Sequence, residues 1–282
     1  MAAAHIPTTT LPSGAKMPTF GLGTWRMGES ARRRADEVAA LRHGLDLGIT
    51  LIDTAEMYGD GEAERIVADA VGTHRTEVFI VSKVLPENSS RRDTIAACER
   101  SLKRLQTDRI DLYLLHWRGS PPLSETLEAF QALMKAGKIL HWGVSNFDLG
   151  EMEDIARVRG GDTCATNQVL YNLARRGIEF DLMPWCRERG IPIMAYSPIE
   201  QGRLLDHTTL REVAKRHEAT PAQVALAWLT RQKGVITIPK AGSKAHVDED
   251  LAALELGLTR DDLATLDRAF PPPKKAQALD ML

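Results

Sequence analysis

Eight short apolar runs, each followed by helical sequence, constrain this chain more than any other feature. They are TFGLG (19–23), TLID (50–53), EVFIVSK (77–83), IDLYLLH (110–116), ILHWGVS (139–145), TCATNQ (163–168), IPIMAY (191–196) and VITIP (235–239). Rich in Val, Ile and Leu and without strict alternation, they read as strands covered on both faces. Most successive runs end about 30 residues apart, the length of one βαβ unit. The spacing predicts an α/β fold, a parallel (β/α)8 TIM barrel, with a doubly wound sheet as the competing arrangement. The interval from 196 to 239 is longer and holds two helical patterns, 207–217 and 221–231, so extra helices are expected there. Ser90-x-x-Asp93 and Asp148-x-x-Glu151 have capping-box spacing, and Thr220-Pro221 pairs an N-cap with proline at the first helical position. Gly137 follows the periodic stretch from Leu123 to Ala136, where a helix C-terminal glycine belongs. Residues 8–18 read as an N-terminal β-hairpin around Ser13-Gly14, placed to close the barrel bottom. The tail from Pro271-Pro272-Pro273 cannot extend a helix and is expected to wrap the surface. No shift in composition interrupts the chain, so residues 1–282 are expected to form one barrel domain.

Charge and cysteine usage exclude several classes. Lys and Arg number 36 against 38 Asp and Glu, a net charge of -2, which provides no basic field for nucleic-acid phosphates. Apolar runs such as Val224 to Leu229 fall far below the ~20 residues needed to span a bilayer. The first ten residues lack a signal-peptide stretch, so a cytoplasmic protein is expected. The 3 cysteines, Cys98, Cys164 and Cys186, are odd in number and none lies in a CxxC pair. Neither a disulfide framework nor a thiolate metal site is therefore expected. Gly21-x-Gly23 lacks the third glycine of a dinucleotide fingerprint, since Arg26 stands there, and neither HExxH nor G-x-S-x-G occurs. The Arg32-Arg33-Arg34 run reads as a solvated helix face.

A barrel of this type works at the C-terminal ends of its strands. There stand Thr24 and Trp25, Asp53, Lys83, His116, Ser145 and Asn146, Gln168, Tyr196, and Lys240. Tyr58 lies five residues beyond Asp53, an offset that lets its hydroxyl swing back over the mouth. A free phenol, with a pKa of ~10, transfers protons poorly at neutral pH, and lowering it by ~3 units takes about 4 kcal/mol. An ammonium ~4 Å away at an effective dielectric of ~20 supplies about that much, and Lys83 is the candidate. Asp53 would keep Lys83 protonated while cancelling part of its field, and His116 would offer a neutral hydrogen-bonding partner. A proton-transferring tyrosine with neither metal nor nucleophile implies an external reactant, most simply a hydride donor. Two rivals remain: a Schiff-base lyase using Lys83, and a non-catalytic cofactor-binding redox sensor. Asp53 argues against the first by keeping the amine charged, and the convergence of Asp53, Tyr58, Lys83 and His116 on one rim argues against the second.

With these residues assembled, the chain resembles an aldo-keto reductase of the short prokaryotic type over nearly its full length. The resemblance is carried by LPSGAKMPTFGLGTW, LIDTAEMYGDGEAE, VSK at Lys83, LLHW at His116, GVSNF, NQVLYN, AYSPI and IPKA. It implies a tetrad of Asp53, Tyr58, Lys83 and His116, with Tyr58 as general acid in the reduction of small aldehydes, 2-oxoaldehydes or ketones. It also implies an extended NADP(H) across the barrel mouth. Ser145, Asn146 and Gln168 would hold the carboxamide, and Tyr196 would stack on the nicotinamide. Residues 197–202 would cover the pyrophosphate, with Ser197, Ile199 and Gly202 in contact, and Lys240 would meet the 2′-phosphate. Gly23, Thr24, Trp25, Asp53, Ala241 and Asp250 complete the expected cofactor contacts. Many family members carry an arginine six residues beyond that lysine and an asparagine four further on; here these are His246 and Asp250. The resemblance therefore implies NADP(H) by a reduced margin, NAD(H) as a second option, and Asp250 accepting from the adenine amine. Trp25, Tyr58, His116 and Trp117 would line a fairly open substrate pocket, and a monomer acting on a small carbonyl compound is expected.

Overall fold

A computed structural model describes residues 4–282. It opens with a hairpin, β1 (Thr8–Thr10) against β2 (Lys16–Pro18), whose turn uses Gly14 at φ 85. The eight expected strands follow: β3 (Gly21–Gly23), β4 (Leu51–Asp53), β5 (Phe79–Val84), β6 (Ile110–Leu115), β7 (Ile139–Ser145), β8 (Asn167–Leu170), β9 (Ile193–Tyr196) and β10 (Val235–Thr237). They pair in parallel, each with its neighbour in the chain. A parallel bridge from Phe20 to Thr237 then brings β10 back beside β3, with Gly23 N–H donating to Pro239 O at 2.8 Å. The sheet thus curls into the barrel that the spacing predicts, and the doubly wound alternative falls away.

Ten α-helices surround it: α1 (Arg34–Asp46), α2 (Glu62–Val71), α3 (Arg91–Leu105), α4 (Leu123–Lys135), α5 (Leu149–Arg157), α6 (Leu182–Glu188), α7 (Thr208–Arg216), α8 (Pro221–Thr230), α9 (Lys244–Ala252) and α10 (Arg260–Ala269). Helices α7 and α8 fill the long interval before β10, as its two periodic stretches predict. Asp148 with Glu151 and Thr220 with Gln223 form reciprocal capping boxes that start α5 and α8. Such a cap stabilises a helix by about 1 kcal/mol. Ser90 is only half of one. Its hydroxyl accepts from Asp93 N–H at 3.2 Å but also donates to the Asp93 carboxylate at 2.7 Å, which therefore does not turn back to the Ser90 N–H. Strand β8 starts later than 163, because Gly160, at φ 84, leads into a 3-10 turn over Gly161–Thr163.

The core has two layers. Inside the barrel lie Leu51, Val81, Leu112, Leu114, Met194 and Ile236, joined by Leu11 and Met17 from the hairpin segment. Those two side chains close the bottom of the barrel interior. Between strands and helices lie the large fully buried side chains Trp142, Trp228, Tyr113 and Phe130. Burial of each such side chain stabilises the fold by about 1.5–3 kcal/mol.

Two sequence expectations change. The tail does more than wrap the surface: Leu279 packs on the outer core, and Met281 and Leu282 reach the rim of the cleft at the barrel top. The triple-arginine run is not a plain solvated face either. Arg34 pairs with Glu62 at 3.0 Å and Asp69 at 2.6 Å, tying α1 to α2, and Arg33 lines the cleft. Among the described residues, no helix is long and apolar enough to cross a membrane, and the three cysteines are free and buried.

Candidate active site

Asp53 is the last residue of β4, and Lys83 lies near the end of β5, so the barrel register sets their side chains together. Tyr58 is brought back over them by a turn that begins at its own position. Gly59 and Asp60 both adopt left-handed backbone there, and a Cβ on Gly59 would stand 2.8 Å from Met27 O. Only glycine fits that approach. The Lys83 ammonium lies 2.9 and 2.8 Å from the two Asp53 oxygens, 2.9 Å from Thr54 O and 3.2 Å from the Tyr58 hydroxyl. His116 follows β6 and meets the Tyr58 ring edge-on at a centroid distance of 5.9 Å, with Trp117 tilted 4.9 Å from the imidazole on its other side.

Burial decides the charge states. It works against an ammonium at Lys83, but Asp53 and the Tyr58 oxygen outweigh it and hold the lysine pKa above its ordinary value. Burial also opposes a phenolate at Tyr58, and it wins: the Tyr58 pKa is raised, although Lys83 pulls it down. The depressed phenol expected from the sequence is therefore corrected. Asp53, bound to the same ammonium through both oxygens, cancels much of the field that would have lowered it. Tyr58 stays a hydroxyl, able to donate but not to act as a resting base. His116 is pushed down to about 3 by burial and by Lys83, so it is neutral at physiological pH as expected.

Above these groups opens a cleft of about 730 Å³, within the usual ~300–1,000 Å³ of small-molecule sites. All the expected site residues line it except Lys83, Thr24 and Ala241. Lys83 is fully buried behind Tyr58 and Asp53, both of which line the cleft and bond its ammonium. Thr24 turns inward, its N–H donating to Asp53 O at 3.0 Å and its carbonyl accepting from Met27 N–H at 2.9 Å. Ala241 sits in the outer core. Neither side chain is in the lining of the cleft. Beneath the cleft, polar side chains are already interlocked. Ser145 donates to Gln168 O at 2.9 Å, Tyr196 donates to Asn146 Oδ1 at 2.9 Å, and Gln168 donates to Asp53 at 2.7 Å. Asn146, Ser197 and Gln201 hold positive φ, the kind of local strain that a surrounding framework must enforce. For the 197–202 strap that framework is Glu200, which is buried and accepts from Asn172 at 2.8 Å, Arg175 at 3.1 Å and Arg203 at 3.0 Å.

The far end of the cleft is different in character. Lys240, Arg26 and Arg33 line it together with Ser243, His246 and Asp250. Burial lowers the Lys240 pKa, and it raises the Asp250 carboxyl to about 8 with help from Glu249. Asp250 is thus protonated at neutral pH, so it can donate a hydrogen bond as well as accept one. Amides and hydroxyls at one end and cations at the other suit an elongated ligand with a carboxamide head and a phosphorylated tail, which is the donor set a nicotinamide dinucleotide needs. Gln201 lines the cleft within the expected 197–202 stretch, whereas Arg26, Arg33, Leu205, Met281 and Leu282 also line it and were not expected from the sequence. No periodicity relates the arginines or the tail residues to the barrel mouth. Among the described residues, no group of three or more His, Cys, Asp or Glu is placed to hold a metal ion.

Comparison with known proteins gives the same picture. A sequence model described as the aldo/keto reductase family matches residues 19–270. The chain is 52% identical to methylglyoxal reductase YeaE of Escherichia coli over 94% of its length and 95% of that protein's. It is 36% identical to the glyoxal reductase of Bacillus subtilis over 92% of its length and 91% of that protein's. Among solved structures, an aldo-keto reductase from Klebsiella pneumoniae in complex with NADPH superposes with a TM-score of 0.96 at 50% identity, covering 99% of this chain and 100% of that one.

Proposed function

The chain belongs to the aldo-keto reductase family, and on that premise we propose that it reduces small aldehydes and 2-oxoaldehydes to alcohols with NADP(H). The observation that carries this reading is the buried Lys83 ammonium, 2.8 Å from Asp53 and 3.2 Å from the Tyr58 hydroxyl, whose residue lines the cleft. When bound, the reduced nicotinamide supplies a hydride to the carbonyl carbon. Ser145, Asn146 and Gln168 would hold its carboxamide and Tyr196 its ring, with the strap around Ser197, Ile199 and Gly202 over the pyrophosphate and Lys240 at the 2′-phosphate. Gly23, Trp25 and Asp53 would border the reacting end, and Asp250 would face the adenine.

As negative charge develops on the carbonyl oxygen, the Tyr58 hydroxyl donates its proton to it. The phenolate that forms is stabilised by Lys83, which Asp53 keeps charged. His116, neutral throughout, hydrogen-bonds the same oxygen and orients it. The raised Tyr58 pKa suits this direction, since reduction needs the proton in place. The raised Lys83 pKa disfavours a Schiff-base lyase, which needs a free amine. Trp25, Trp117 and Met57, with Met281 and Leu282 at the rim, make a small and largely apolar mouth. That favours compact carbonyl compounds, in line with the reductase activities named for the YeaE and B. subtilis relatives. We read residues 1–282 as one barrel domain acting as a monomer on a small carbonyl compound.

A panel of methylglyoxal, glyoxal, short aldehydes and a bulky ketone, each with NADPH and with NADH, tests this. The expected result is NADPH consumption with the small substrates and the matching alcohol as product. Absence of substrate-dependent NADPH consumption across the panel would overturn it.

A further inference from the structure

The far end of the cleft holds a second cation besides Lys240: Arg33, whose ion-pair partner among the described residues is Glu37. Neither the Lys240 ammonium nor the Arg33 guanidinium has a hydrogen-bond acceptor among the described residues, and both face the same cavity. Arg26, the third cation there, is already engaged, lying 4.4 Å over the Trp25 ring. Arg33 comes from another element, the turn that starts α1, and its side chain is 54% exposed. It is not loose. Glu37, one helical turn on and almost fully buried, holds Gly28 N–H with one oxygen at 3.0 Å and stands 3.7 Å from Arg33 Nε with the other. That second oxygen makes no hydrogen bond, so Glu37 aims the guanidinium by charge and leaves its remaining N–H groups free. Charges on the segment from β3 into α1 act on Lys240: Glu37 and Glu29 favour its ammonium, while Arg33 and Arg26 oppose it. Two like charges that act on each other across one cleft, with N–H groups left without acceptors, suit a shared anion.

We propose that Arg33 grips the 2′-phosphate of NADPH jointly with Lys240, and so selects NADPH over NADH from the α1 side of the cleft. It supplies from another element the planar, fork-like donor that position 246, a histidine here, does not provide. The assignment rests on the proposed placement of that phosphate at Lys240. Glu37 is a positioning residue for the same contact.

Binding of NADPH and of NADH, read from quenching of the Trp25 and Trp117 fluorescence, tests this without turnover. A charge-assisted contact to phosphate, discounted for the exposure of Arg33, corresponds to about tenfold in Kd. Arg33→Ala is expected to weaken NADPH by about that factor and NADH by less than twofold, with Arg33→Lys between wild type and Arg33→Ala. Lys240→Ala should show the same selectivity. If Lys240→Ala is selective but Arg33→Ala leaves NADPH unchanged, or weakens both cofactors equally, the role of Arg33 is refuted while the phosphate site stands. If wild type binds the two cofactors equally, the phosphate site fails, and the Arg33 assignment with it.

Discussion

Replacing Lys83 with methionine removes the one charge that favours a Tyr58 phenolate while keeping much of the side-chain volume. Unit charges 3.2 Å apart at an effective dielectric of ~20 interact by about 5 kcal/mol. If the proton is half transferred in the transition state, about 2.5 kcal/mol of that is lost, or roughly 70-fold in rate. The assay is single-turnover NADPH oxidation by methylglyoxal in a rapid-mixing instrument, which isolates the chemical step from product release. Because the substitution leaves Asp53 buried without its partner, the fold can lose several kcal/mol. Urea midpoints and the NADPH Kd therefore accompany each rate. The double variant Lys83→Met/Asp53→Asn removes the stranded charge, and it should be more stable than the single variant and slowed less, because the opposing carboxylate is gone too. A single variant that folds, binds NADPH and turns over within threefold of wild type would refute the electrostatic role assigned to Lys83.

Other consequences are simpler. With Asp250 titrating at about 8, it is neutral below that pH and a carboxylate above it, so NADPH affinity should be flat below pH 8 and fall above. Asp250→Asn should abolish the fall in a Kd-against-pH series. His116, at about 3, stays neutral over the working range, and the Tyr58 phenol, raised by burial, stays protonated. The single-turnover reduction rate should accordingly show no histidine inflection between about pH 5 and 8. Gly23→Ala would place a Cβ 2.9 Å from Ile238 O where β3 meets the end of β10, so a loss of about 1–3 kcal/mol is expected in chemical denaturation. Thr220→Ala should cost about 1 kcal/mol by breaking the α8 capping box, with no change in kcat.

How far the sequence carried depends on the kind of information involved. Strand ends such as Asp53, Lys83, His116 and Gln168 were legible because a βαβ repeat fixes where a barrel presents its chemistry. Tyr58 was legible for the same reason, its offset from Asp53 being local. Contacts made across the mouth were not legible. Arg33 comes from the start of α1 and Leu282 from the far end of the chain, and no periodicity relates either to Lys240 or Tyr196. The Tyr58 pKa was misjudged because its sign depends on a balance between burial, Lys83 and Asp53, and burial cannot be read from residue types. Thr24 and Ala241 lie next to cleft-lining residues but not in the lining, since one residue along a strand end or loop turns a side chain from cleft to core. The half-formed box at Ser90 has a similar origin: its spacing was right, but Asp93 bonded the Ser90 hydroxyl instead of the backbone N–H.

The most direct test of the account is Tyr58→Phe under single-turnover conditions with methylglyoxal, alongside the NADPH Kd. Loss of a general acid lowers rates by about 10²–10⁴-fold, and the account predicts a fall in that range with NADPH affinity within about threefold of wild type. A Tyr58→Phe variant that reduces methylglyoxal at close to the wild-type rate would contradict it.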